Sequence, residues 1–237
     1  MGGDGDDYIH GGDGNDIING NEGNDHLSGG AGNDVLKNEH GNDQMNGGSG
    51  SDTILGSISA ENIKAGKGDD MVLANGGNDR VRGQQGDDLL AGEAGKDKIT
   101  GGPGLDIIYG GDQSDEINGG LGDDTLNGGN GDDSIKGKMG QDTIEGGDGN
   151  DHIHGGIGDD NLDGEGGDDV VIGGIGTDVI KGGDGDDIIR GEYGDDRLYG
   201  GDGEDDIKGG LGDDIIHAGD GDDNIEGNQG LDSIDAG

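Results

Sequence analysis

From Gly2 onward the chain repeats every nine residues, GGDGDDYIH, GGDGNDIIN, GNEGNDHLS, and it keeps that register without insertion or deletion through Asp235. The 26 consecutive nonapeptides occupy residues 2–235 as one repeat domain, with 236–237 as terminal residues. Glycine fills the first position 22 times, the second 16 times and the fourth 24 times; the sixth is Asp everywhere except Glu61, and the eighth is always Ile, Leu, Val or Met. Nine residues holding one such aliphatic side chain cannot bury it alone, so a chain built this way has to stack its repeats.

Each repeat reads as a six-residue turn followed by a three-residue strand. Strand residues alternate faces, so position eight points inward and positions seven and nine outward. Two repeats joined into an 18-residue coil, with coils stacked at ~4.8 Å, bring two ladders of position-eight side chains together as a thin core. The expectation is an all-β parallel solenoid of about 13 two-repeat coils. Glycine at positions one, two and four is expected to supply backbone angles closed to other residues, and Asn or Asp at position five, as in Asn15 and Asp69, to tolerate left-handed geometry. Composition agrees: at 25% hydrophobic residues with no Phe or Trp, a conventional globular core is excluded. The absence of Cys excludes a disulfide scaffold and thiolate metal sites, and no apolar run is long enough to span a membrane.

The charges sort by position within the repeat. Of 56 acids only Glu116, Glu145, Asp163, Asp206, Glu226 and Asp235 fall on strands, whereas of 13 bases only Lys67, Lys96 and Lys138 fall in turns. Stacked turns would pile up carboxylates at a cost of about 1 kcal/mol or more per close pair even in high dielectric. A formal net charge of −43 also repels nucleic acid and anionic membranes, so neither is an expected partner. Carboxylates plus the carbonyls of glycine-rich turns form an all-oxygen ligand set for a hard cation, and the flexible coordination of Ca²⁺ suits them better than the strict octahedron of Mg²⁺.

The segments GGDGNDIIN at 11–19, GGDGDDIIR at 182–190 and GGLGDDIIH at 209–217 resemble the glycine-rich nonapeptide of the RTX (repeat-in-toxin, hemolysin-type) proteins. The resemblance implies a right-handed parallel β-roll in which each Ca²⁺ lies between one turn and the turn two repeats later, held by both position-six Asp side chains and by turn carbonyls. Carried onto this sequence, the ligands form two columns. One contains Asp7, Asp25, Asp43, Asp79, Asp97, Asp115, Asp133, Asp151, Asp169, Asp187, Asp205, Asp223; the other contains Asp16, Asp34, Asp52, Asp70, Asp88, Asp106, Asp124, Asp142, Asp160, Asp178, Asp196, Asp214, Asp232. Up to 24 sites result, about 22 of them well formed, because GSISAENIK at 56–64 lacks two glycines and carries Glu61. GGDQSDEIN at 110–118 has Gln113 at position four and is expected to be weakened. A metal-free chain of this kind is expected to be expanded, so that Ca²⁺ binding is also folding. The family further implies a type I secreted, extracellular or cell-surface protein.

Several features invite other readings. On the even-repeat face Leu55, Met71, Leu73, Leu89, Ala91, Ile107 and Tyr109, extended by Ile17 and Val35, are expected to form an exposed apolar patch suited to self-association or a neighbouring domain. On the odd-repeat face Lys64, Arg80, Arg82 and Lys98 form a basic strip that would suit an anionic polysaccharide. An ice-binding adhesin would favour a long threonine row, and only Thr125 and Thr143 stack so. Uncapped sheet ends would permit head-to-tail assembly. The histidines, His10, His26, His40, His152, His154 and His217, offer no fixed third ligand for Zn²⁺. The recurring Asp-Asp pairs are not expected to be catalytic dyads, the first member, such as Asp186, facing solvent. No enzymatic activity is expected of these residues.

Overall fold

The computed structural model describes residues 1–237 and contains strands and turns without a helix. The residues gather into two compact units, Met1–Gly120 and Leu121–Gly237. In the first unit one parallel sheet runs Tyr8–Asp13, His26–Ala31, Gln44–Ser49, Asn62–Lys67, Arg80–Gln85, Lys98–Pro103, and the other runs Ile17–Asn19, Val35–Lys37, Thr53–Leu55, Met71–Leu73, Leu89–Ala94, Ile107–Asp112. The second unit repeats the scheme. One sheet runs Ser134–Met139, His152–Ile157, Val170–Ile175, Ile188–Tyr193, Asp206–Leu211, Asn224–Gln229. Its companion runs Thr125–Asn130, Thr143–Asp148, Asn161–Gly166, Val179–Asp184, Arg197–Asp202, Ile215–Asp220, Ser233–Asp235.

Paired residues are 18 apart, as in Val81 with Ile99 and Ile153 with Val171, so one turn of the solenoid is two nonapeptides. About thirteen such turns make up the two units, the all-β parallel architecture expected of a right-handed β-roll. The position-eight side chains are the core: from Ile18 to Ile216 each is at most 3% exposed. Burying such a side chain contributes roughly 1.5–3 kcal/mol, and each coil has two. The ends are less covered, with Ile9 and Ile225 half-buried and Ile234 49% exposed.

Two local expectations are corrected. Most strands run six residues rather than three, covering positions seven to nine and continuing through positions one to three of the next repeat. The chain turns at position two without leaving the ladder, since pairing continues there, as in Gly12 with Gly30 and Asp13 with Ala31. Position five is not left-handed: neither Asn15 nor Asp69 has positive φ. The left-handed positions are two and four. At position two Gln84 (φ 83°), Glu93 (φ 77°) and Glu192 (φ 77°) sit in the left-handed well, whereas Gly30 and Gly102 swing out to 119° and 134°; Glu39 and Ser57, in the two irregular repeats, do not have positive φ.

Candidate metal centre

From Asp25 to Asp214 every position-six aspartate is at most 4% exposed, while Asp7, Asp16, Asp223 and Asp232 in the end turns are half-buried. The two oxygens of each carboxylate have different surroundings. Oδ1 accepts a hydrogen bond from the backbone N–H of the aspartate 18 residues earlier, as from Asp34 to Asp52 (2.8 Å) and from Asp151 to Asp169 (2.7 Å). Oδ2 is buried and receives no hydrogen bond in Asp25, Asp34, Asp52, Asp70, Asp88 and Asp97 of the first unit, nor in Asp142, Asp151, Asp160, Asp169, Asp178 and Asp187 of the second. Leaving a charged oxygen buried without a donor costs several kcal/mol in a protein interior, so its recurrence calls for a positive partner.

The position-one glycine explains where that partner fits. These glycines have ordinary negative or extended φ, so the expectation that they relieve backbone strain does not hold. What they lack is room. A Cβ on Gly146 would press against Asp151 Oδ2 and lie 2.7 Å from the Gly164 carbonyl oxygen; on Gly29 it would press against Asp34 Oδ2 and lie 2.6 Å from the Gly47 oxygen. Each glycine therefore lets a carboxylate oxygen and a main-chain carbonyl of the next coil lie close together against the backbone, a cradle of oxygens. That all-oxygen lining fits a hard cation. Three or more acidic or histidine side chains do not converge anywhere, so a cation held here would draw on turn carbonyls as well as carboxylates.

Departures from the pattern supply internal comparisons. Asn38 stands at position one, and its Nδ2 donates to Asp43 Oδ2, supplying a donor that Oδ2 of Asp25, Asp34 and Asp52 does not have. In the irregular seventh repeat Ser57 Oγ donates to Glu61 Oε1 (2.7 Å) and the Ser57 N–H to Oε2 (3.3 Å). Here the protein itself satisfies both oxygens. Ala65, Ala74 and Ala218 carry methyl groups at position one and are fully buried, yet Oδ2 of Asp70, Asp79 and Asp223 in the same repeats is buried without a donor, so a methyl at position one leaves the carboxylate oxygen as it is elsewhere. The sequence reading singled out Glu61 and Gln113 and overlooked these four; the signal was the missing position-one glycine. Gln113 holds φ 76°, and Asp115 in the same repeat keeps its place, 4% exposed.

Burial dominates the electrostatics. It pushes Asp88, Asp151, Asp160, Asp187 and Asp196 to about 7 and Asp79 to about 8, against the pull of the N–H each accepts and with further push from neighbouring acids. Position five has a role that sequence reasoning missed. Asp186 is exposed as expected, yet its Oδ1 accepts the Glu204 N–H (2.8 Å), and Asn15 likewise accepts the Asn33 N–H (2.9 Å). Position five thus ties each turn to the next coil and position six ties it to the previous one.

Outside the turns, Met71, Leu89, Ile107 and Tyr109 lie in register on one sheet of the first unit, 40–48% exposed, with Leu55 and Leu73 half-buried beside them. Arg80 and Arg82 pair in register with Lys98 and Thr100 on one side and Asn62 and Lys64 on the other; Lys98 forms an ion pair with Glu116. His26 stacks on Tyr8 and His217 on Tyr199, with ring centroids 4.3 and 5.4 Å apart.

No curated protein matches the chain significantly. A family model, the RTX calcium-binding nonapeptide repeat in four copies, matches residues 1–36, 39–54, 55–90, 73–108, 82–117, 100–135, 109–144, 136–171, 172–207 and 199–234. The matches leave out 37–38 and break between 54 and 55, beside the repeats in which Asn38 and Glu61 satisfy their turns from within. With its register, its glycine cradles and matches over nearly every residue, the chain belongs to the RTX calcium-binding nonapeptide repeat family and is a calcium-binding repeat module.

Proposed function

We propose that Ca²⁺ is held between successive coils by the position-six aspartates of the two columns, Asp7 to Asp223 and Asp16 to Asp232, and that loading these sites drives folding. The observation that carries the reading is the buried Oδ2, set close to a main-chain carbonyl of the next coil and given no donor by the protein. Calcium, when bound, supplies positive charge and oxygen coordination at that atom. The chain's own groups do the rest: Oδ1 fixes the carboxylate against the neighbouring N–H, and position eight closes the coil over its aliphatic ladder. Because each interior carboxylate column is shared with both neighbours, loading one turn prepares the next. Cytosolic calcium is too scarce to load sites of the ~10⁻⁴–10⁻³ M affinity common in extracellular modules, so the chain would stay unfolded inside a cell and fold outside it, as suits a secreted protein.

Equilibrium dialysis against calcium tests the ligand assignment. The wild-type chain is expected to bind many ions but fewer than the 22 read from sequence, since Asn38 donates to Asp43 Oδ2 in place of a cation. Asp151→Asn with Asp169→Asn should lower the count and raise the calcium concentration needed for folding. A count unchanged by that double substitution would remove the position-six carboxylates as ligands.

A further inference from the structure

The second unit has an apolar column that the repeat does not require. At position three of alternate repeats, Met139, Ile157, Ile175, Tyr193 and Leu211 stack in register, 40–53% exposed. The equivalent column on the other sheet of the same unit reads Asp148, Gly166, Asp184, Asp202 and Asp220. The same turn position is therefore apolar along one side and largely acidic along the other. Beside the apolar column, three residues back along each strand, runs a second ridge of Lys136, His154, Ile172, Arg190 and Lys208.

Between the ridges the chain is floored largely by glycine. One depression of about 480 Å³ is lined by Ile157, Ile175 and Tyr193 on one side and His154 and Ile172 on the other, over Gly156 and Gly174. A second of about 530 Å³ continues from Glu192 and Tyr193 to Arg190, Lys208, Gly210 and Leu211. The charges along this groove are uneven. Arg190 is paired with Asp206 (2.5 Å) and Lys208 with Glu226 (3.4 Å), and Glu192 stands on the floor, but Lys136 and Lys138 at the other end make no ion pair. Lys136 and Lys138 give the Met139 end of the ridges a local positive charge in a chain of net charge −43.

The geometry points to this groove as the docking site of an amphipathic α-helix from a partner protein, its apolar face against the Met139–Leu211 column and its acidic end at Lys136 and Lys138. Dimensions favour a helix. Ladder side chains recur every ~4.8 Å, close to the ~5.4 Å helical pitch, whereas same-face residues of an extended peptide recur every ~6.6 Å and fall out of step at once. Four such steps cover ~19 Å, or about 13 helical residues. Charge decides the rest, since the free lysines attract acidic residues and the overall charge repels an anionic membrane.

The test uses the full chain in saturating calcium and a fluorescein-labelled helical peptide of about 16 residues, with leucine once per turn on one face and glutamates beside them. Fluorescence anisotropy should show saturable binding, at least about tenfold weaker for the same peptide with lysines in place of the glutamates. Ile157→Ser with Ile175→Ser should weaken binding by about tenfold or more while circular dichroism stays unchanged, because both side chains are half-exposed. Lys136→Glu with Lys138→Glu should reverse the preference between the two peptides, and Met71→Ser with Leu89→Ser, in the first unit, should leave it unaltered. The inference is overturned by absence of saturable binding, by binding indifferent to peptide charge or to the groove substitutions, or by a dimer that Ile157→Ser with Ile175→Ser abolishes, which would give the groove to a second copy.

Discussion

Asn38 shows how much one side chain decides in this fold. Its amide donates to Asp43 Oδ2, a donor that Oδ2 of Asp25 and Asp34 does not have, so Asn38→Gly should free that oxygen and add about one bound calcium by equilibrium dialysis. The opposite change, Gly146→Ala, puts a methyl against Asp151 Oδ2 and the Gly164 carbonyl. It should lower the stability of the calcium-loaded chain by about 1–3 kcal/mol in a denaturant titration. Backbone strain offers a gain instead. Gln84, at φ 83°, holds a conformation that costs a residue with a Cβ about 1–2 kcal/mol, so Gln84→Gly should stabilise the loaded chain by about 0.5–1 kcal/mol after glycine's own entropy is counted. The sequence made the position-six carboxylates legible because nothing else explains Asp at nearly every ninth residue. It did not reveal why position one is glycine, because a lack of space beside Asp Oδ2 leaves the same mark as a need for positive φ.

At the scale of the strand, the aliphatic residue at position eight was enough to read the ladder, the two-repeat coil and the parallel sheets. Six-residue strands were not legible, since the ladder continues through a left-handed residue at position two and the side-chain alternation ends before it does. The lateral ties made by position five were hidden for a related reason: an exposed Asp such as Asp186 looks like a solvated charge until its neighbour 18 residues on is in place. Because the core is one side chain deep, it has little freedom to collapse around a gap. Ile153→Ala, at a fully buried site, should therefore cost about 2–5 kcal/mol in calcium-loaded protein, whereas Ile234→Ala, 49% exposed in the last strand, should cost under about 1 kcal/mol; chemical denaturation separates the two.

At the scale of the whole chain, the proposed function makes the carboxylate columns the groups that set the conditions for folding. Asp79, pushed to about 8, and Asp151, Asp160, Asp187 and Asp196, pushed to about 7, bind protons more readily folded than unfolded, where an aspartate titrates near 3.8. A raised carboxylate value means that the folded state carries no penalty from these groups below the unfolded value and accumulates it as pH rises through the folded ones. The metal-free chain should accordingly gain β-structure as pH falls from 8 toward 4, which circular dichroism in a chelator can follow. On the proposed reading, calcium would take the place of protons in that role at neutral pH. The most direct measurement of the central claim is a titration of the metal-free chain at pH 7.5 with Ca²⁺, and separately with Mg²⁺, followed by far-ultraviolet circular dichroism. A cooperative passage from disordered chain to β-structure with Ca²⁺ and none with Mg²⁺ at the same concentrations is the predicted result. A chain already β-structured in the presence of a strong chelator, and unchanged on adding calcium, would contradict it.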